Sequence, residues 1–91
     1  SAIELDEGNA ATAKEKISQT LELANKIKDK RAVAELSLLL GKCNIKVGDL
    51  SEARNNLSEA VDGFERLGLQ NKLIEAREML ANIIDVFSEG D

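Results

Sequence analysis

The side chains that could do chemistry in this chain are its carboxylates, one thiol and a scatter of lysines and arginines. Asp and Glu number 17 against 12 Lys and Arg, histidine is absent, and Cys43 is the single cysteine. Glu59-Asp62 and Glu75-Glu78 are spaced three apart, so on a helix each pair stands on one face, one turn apart. Paired carboxylates can hold a hard cation, but neither pair has further oxygen ligands at calcium-loop spacing, and both read as solvated surface. Without histidine the commonest general base is missing, and so is the usual partner of a Ser or Cys nucleophile. No glycine-rich phosphate loop is present. The chain is therefore expected not to be an enzyme, with no catalytic residue, metal site or cofactor. Cys43 reads as a small core hydrophobe. A lone cysteine forms no intrachain disulfide, which points to a reducing, cytoplasmic compartment.

The net charge of −5 argues against nucleic acid, whose phosphates need a basic face. The densest basic run, Lys26-Ile27-Lys28-Asp29-Lys30-Arg31, falls at an expected helix end, where cations suit the macrodipole. An anionic membrane surface is disfavoured on the same grounds, whereas a basic peptide partner is permitted. No apolar run has the length of a membrane span, and no signal-peptide pattern is present. Ninety-one residues, 43% apolar and 32% charged, make one small globular domain. Proline is absent and the only aromatics are Phe64 and Phe87, which suits long helices packed by Leu, Ile and Ala rather than a β-sandwich.

Four helices follow from the spacing of apolar residues. The first runs from Asn9, its N-cap, to about Lys28, with a stripe of Ala13, Ile17, Leu21, Ala24 and Ile27. Residues 1–8 are read as cut-off last turns of a helix or a frayed lead-in, and Asp29-Lys30 as the next turn. The second helix runs from about Arg31 to Val47, with Val33, Leu36, Leu39, Leu40, Cys43 and Val47 on one face and Leu38 and Ile45 beside it. Gly48 supplies a left-handed C-cap. Asp49 caps the third helix, with Glu52 in a capping-box relation. Leu50, Ala53, Leu57, Ala60, Val61, Phe64 and Leu67 line its inner face, and Gly68 ends it. The fourth spans roughly Asn71 to Ser88, with Leu73, Ala76, Met79, Leu80, Ile83, Ile84 and Phe87 inward. Glu89-Gly90-Asp91 reads as the start of a further turn.

Two of these turns are forty residues apart, Gly8-Asn9 and Gly48-Asp49, so the same turn is expected twice. At that offset Ala13 matches Ala53, Ser18 matches Ser58, Glu35 matches Glu75 and Leu40 matches Leu80. Ile17 pairs with Leu57, Leu21 with Val61, Ile27 with Leu67, Val33 with Leu73 and Leu39 with Met79. Most of these positions point inward, whereas chance would scatter them over both faces. Small residues at Gly41, Ala53, Ala60 and Ala81 are expected to let helix axes come close.

The string Leu40-Gly41, Gly48-Asp49, Glu52-Ala53, Ala60-Val61 resembles the tetratricopeptide repeat. In that pattern a Leu-Gly pair on a first helix precedes a Gly-Asp turn, a Glu-Ala pair and a late Ala on a second helix. The match covers about residues 34 to 67. The flanking copies depart from it, with Thr20 where the late Ala belongs and Ala81 in place of glycine. The period of forty exceeds the family's usual one of about thirty-four, which resembles the extended repeats of some scaffolding and signalling proteins. The resemblance implies an all-α chain of antiparallel helix-turn-helix repeats, part of a right-handed solenoid. Residues 1–30 would be the second helix of a partial repeat, 31–69 a complete repeat and 70–91 the first helix of another. A chain that starts and stops in mid-repeat is expected of a segment of a longer protein.

In the resembled family the first helices of successive repeats line a concave groove that holds a peptide or partner helix. Carried over, the groove would present Glu35, Leu38, Lys42, Ile45 and Lys46 from the second helix, with Leu38 and Ile45 either contact residues there or buried against the first helix or a neighbouring repeat. The fourth would add Glu75, Glu78, Asn82 and Asp85. Members that grip an acidic chaperone tail do so with Lys, Arg and Asn side chains. Lys42 and Asn82 are present, but Leu38 stands where a lysine belongs, so an acidic C-terminal tail is not the expected ligand. The function implied is a protein-interaction module. The alternatives are self-association through the exposed half-repeat ends, as a homodimer or a continued solenoid, and an adaptor segment of a larger signalling or regulatory protein.

Overall fold

The computed structural model describes the backbone of residues 7–89 and the side chains of 9–84. The chain is all-α there, with α1 Glu7–Lys26, α2 Lys30–Val47, α3 Leu50–Leu67 and α4 Gln70–Glu89. The expected turn at Glu89-Gly90-Asp91 and the side chains of Asp85 and Phe87 lie outside the described residues.

One turn, used three times, folds each helix back on the last. Residues 28, 48 and 68 take the left-handed conformation, with φ of 60° at Lys28, 88° at Gly48 and 75° at Gly68. At each, two N–H groups cap the outgoing helix in a Schellman arrangement. Gly48 donates to Ile45 O at 3.2 Å and Asp49 to Asn44 O at 2.9 Å. Gly68 and Leu69 repeat the pattern on Glu65 and Phe64, and Lys28 and Asp29 repeat it on Asn25 and Ala24. The next residue then opens the following helix. Asp29 accepts from Ala32 N at 3.1 Å and Asp49 from Glu52 N at 3.2 Å. The Asp49–Glu52 relation is thus the forward half of a capping box, because the N–H of Asp49 is already given to Asn44.

Gly8 and Asn9 do not form a turn. Both lie inside α1, so Asn9 is not its N-cap and the Gly48-Asp49 turn has no twin forty residues earlier. A glycine in a helix costs only about 1 kcal/mol and does not by itself end one. The turn at 28–29, one residue ahead of the Asp29-Lys30 turn read from the sequence, was hidden because its left-handed residue is a lysine. The recurring unit is therefore one helix and one turn in twenty residues, and forty is two of them.

Each helix packs on the next, α1 on α2, α2 on α3 and α3 on α4, with the most extensive contact between α2 and α3. The core cluster joins Ala34 and Leu38 of α2, Ala53, Leu57, Ala60 and Phe64 of α3, and Leu73, Ala76 and Ile83 of α4. Ile45, Leu50, Val61, Met79 and Leu80 pack against it. Leu40 and Cys43 are buried outside that cluster, on the side of α2 that carries α1, with Ala10 and Ala24 buried on α1 itself. Burial raises the Cys43 thiol pKa, and the nearby Lys14 ammonium partly offsets this.

The α2–α3 seam is built from glycine. A β-carbon at Gly41 would lie 2.9 Å from Leu57 Cγ, and one at Gly63 would lie 2.8 Å from Ala34 Cβ. Ala53 and Ala60 are buried as expected. Ala81 is exposed.

Several residues read as inward are not. Ile27 is 73% exposed, because it falls past the end of α1 where the turn, not the helical period, sets its direction. Leu39 at 44%, Leu67 at 39% and Ile84 at 48% are also exposed. Leu39 gives way to its neighbour Leu38, which is 2% exposed, since the α3 side of α2 is centred on Ala34, Leu38 and Gly41.

Candidate interaction surface

α2 is clasped by α1 on one side and by α3 on another, which leaves a strip along its length uncovered. Glu35, Leu39, Lys42 and Lys46 recur on it at steps of four, three and four. Leu39 and Lys46 are exposed, and Glu35 and Lys42 are half-buried. Lys42 Nζ meets Glu75 Oε2 of α4 at 2.9 Å, which places α4 beside this strip. The hydrogen bond from Lys42 is the main reason the Glu75 carboxyl pKa lies below its usual value; burial opposes it, and the charges of Lys42 and Lys72 add to it. Glu35 is held by Arg31 one turn earlier at 3.3 Å. Glu78 and Asn82 are exposed on α4.

The groove residues read from the sequence therefore divide. Glu35, Lys42, Lys46, Glu75, Glu78 and Asn82 have some or full access to solvent, with Lys42 and Glu75 joined directly. Leu38 is in the core and Ile45 is half-buried against it, so neither offers a free apolar contact. The apolar side chain that does face solvent on this strip is Leu39, which its apparent place in the core stripe concealed. Of the repeat-signature residues, Leu40, Gly41, Ala53 and Ala60 are buried, Gly48 and Asp49 form the turn, and Glu52 is exposed on the first turn of α3.

Reasoning from the sequence missed the polar centre of the α2–α3 seam. Asn44 and Asn56 are buried there, and Ser37 is 1% exposed one glycine-bearing stretch away on α2. The signal was legible in principle. Ser37, Gly41 and Asn44 share one helix face at steps of four and three, inside a helix whose other residues are mostly apolar.

The carboxylate pairs do not stand free. Asp62 pairs with Arg66 at 3.3 Å, and Glu75 belongs to Lys42. Among the described residues no group of three His, Cys, Asp or Glu side chains could hold a metal ion. Nor is any described helix long and apolar enough to cross a membrane. On another face, a shallow cavity of about 450 Å³ separates the α1–α2 turn from α3, with Lys28 and Lys30 on one rim and Glu59 and Asp62 on the other.

What the α2–α4 surface offers is contact chemistry: one exposed leucine, charges of both signs, and an ion pair that bridges the two helices. No family model matches the chain, and no curated protein and no solved structure matches it.

Proposed function

We propose that this chain is a tetratricopeptide-like protein-interaction module that takes a peptide or partner helix along the α2–α4 surface. The supporting observation is the strip of Glu35, Leu39, Lys42 and Lys46, which α1 and α3 leave open and which the Lys42–Glu75 pair joins to α4. An exposed leucine among charges suits a partner helix with one apolar anchor and charged flanks. The net charge of −5 disfavours nucleic acid, and the lone buried Cys43 suits a cytoplasmic setting. Peptides selected from a displayed library against the whole chain provide the test. Titration of a selected peptide should weaken at least about tenfold on Leu39→Asp, with helicity unchanged because Leu39 is exposed. Equal affinity for the variant would place the contact elsewhere and defeat the reading.

A second reading, self-association through the outer helices, is favoured by large apolar side chains left uncovered at both ends. Leu23 is 61% and Ile27 is 73% exposed beside α1, and Ile74 is 51% and Ile84 is 48% exposed on α4.

A further inference from the structure

The α2–α3 interface has a defined register. Ala34 lies against Gly63, Gly41 against Leu57, and Asn44 against Asn56. Since the left-handed turns recur every twenty residues at 28, 48 and 68, α4 follows α2 by forty, and α1, aligned by the turn that ends it, precedes α3 by forty. The α4 positions equivalent to Ala34, Gly41 and Asn44 are Ile74, Ala81 and Ile84, all exposed. The α1 positions equivalent to Gly63 and Asn56 are Leu23 and Lys16, also exposed. α4 and α1 thus present the positions of the two halves of that interface with different side chains: Glu78 stands for the buried Leu38, and Ile17, which stands for Leu57, is half-buried.

We infer that a second copy of this chain seats its α1 on the α4 of the first, in the register in which α3 seats on α2, so that copies add head to tail. The inference rests on the self-association reading. In this register Ile74 meets Leu23 with Ile27 alongside, and Ile84 lies against the aliphatic stem of Lys16. Glu78 takes the place of Leu38, near the centre of the contact, where its carboxylate needs the Lys16 ammonium and the Thr20 hydroxyl of the incoming α1 as partners. The copy-to-copy contact is wider than the internal one. Ile74 and Leu23 stand where Ala34 and Gly63 nearly touch, and Ala81 adds a methyl where Gly41 has none. The two helices are held apart by interleaved side chains rather than by backbone contact. Because the two surfaces differ, the contact is heterologous and does not close on itself in a pair.

The test uses two single variants, Leu23→Asp on the α1 face and Ile84→Asp on the α4 face, each at a position already exposed. Sedimentation is followed by peptide-bond absorbance, since the chain has no Trp or Tyr. The wild type should give species that grow with concentration. Each variant alone should be monomeric, its association weakened at least about tenfold, and the two mixed should give a one-to-one dimer through their intact faces. Leu23→Ser, which adds no charge, should weaken association in the same direction, and circular dichroism should show unchanged helicity throughout. A wild type that stays monomeric at every concentration overturns both the inference and the self-association reading. A wild type that associates while either variant still dimerises alone, or a mixture that yields no dimer, overturns the head-to-tail register and leaves self-association standing.

Discussion

Asn44 of α2 donates from Nδ2 to Oδ1 of Asn56 on α3 at 2.6 Å, inside the seam where the two helices are packed most extensively. Asn44 is fully buried, and its own Oδ1 has no hydrogen-bond partner among the described residues. A buried amide that keeps one bond and forgoes another is held in a single arrangement, because sliding the helices by a turn would leave both of its ends unpaired. Truncating Asn56→Ala should therefore cost about 2 kcal/mol, the penalty of stranding the Asn44 donor. The double variant Asn44→Ala with Asn56→Ala should lose less than the sum of the two singles, by about 1 kcal/mol. Urea unfolding followed by circular dichroism measures all three. Strict additivity would mean that the pair contributes only packing.

Gly63 allows a contact that no other residue would. A β-carbon there would meet Ala34 Cβ at 2.8 Å, and a methyl on a helix cannot rotate away. Helix propensity alone would make Gly63→Ala stabilising by about 1 kcal/mol. The clash should outweigh that and leave the variant less stable than wild type by about 1 kcal/mol. Moving the methyl across the seam, with Ala34→Gly and Gly63→Ala together, should bring stability back to near the wild-type value. Thermal melts of the single and double variants decide it, and a more stable Gly63→Ala would mean that the helices can separate at little cost.

The helices themselves were legible because their apolar spacing is local, and Gly48 and Gly68 marked two turns by residue type. The turn at Lys28 was not legible, since a lysine carries no sign that its φ is 60°. The choice between Leu38 and Leu39 was not legible either. Two adjacent leucines both fit a helical stripe, and only the position of α3 decides which is buried. The forty-residue matches mislead at Gly8, and three of the matched apolar residues, Ile27, Leu39 and Leu67, are exposed. Core positions such as Ala53 and Leu57 recur because helices recur, whereas a glycine takes a turn only where a helix ends. The candidate surface suffered for the same reason as the leucines. Its charged members among the described side chains keep access to solvent, but of its two apolar members Leu38 is buried and Ile45 half-buried, and the exposed leucine is Leu39.

Lys28 occupies the conformation for which its two sister turns use glycine. A side chain in the left-handed region costs about 1 kcal/mol, while glycine loses more chain entropy on folding. Lys28→Gly should accordingly raise stability by about 0.5 to 1 kcal/mol. The converse changes, Gly48→Ala and Gly68→Ala, should each lower it by about 1 kcal/mol. No heavy atom lies within 4 Å of a β-carbon at either glycine, so strain rather than collision sets that cost. Melting temperatures under one buffer condition compare all three, and a neutral Lys28→Gly would show that the lysine side chain compensates the strain through contacts of its own.

The Lys42–Glu75 bridge gives the α2–α4 surface a dependence on acid. In the folded chain the Glu75 pKa is lowered, first by the hydrogen bond from Lys42 and, against the opposing effect of burial, by the charges of Lys42 and Lys72. A lowered folded value means that the unfolded chain takes up the proton first. The stabilisation is then fully present above the unfolded value of about 4.3 and is lost as the pH falls through the folded value below it. Both side chains are about two-fifths exposed, at 39% and 41%, so solvent screens the pair and its worth is at most about 0.5 kcal/mol. Glu75→Gln should lower the melting temperature slightly near about pH 7, and the gap from wild type should shrink as the carboxylate is protonated in acid and narrow at high salt. A gap that persists in acid would mean that Glu75 supports the α2–α4 contact through its hydrocarbon stem rather than its charge, and Lys42 would then be free to meet a partner.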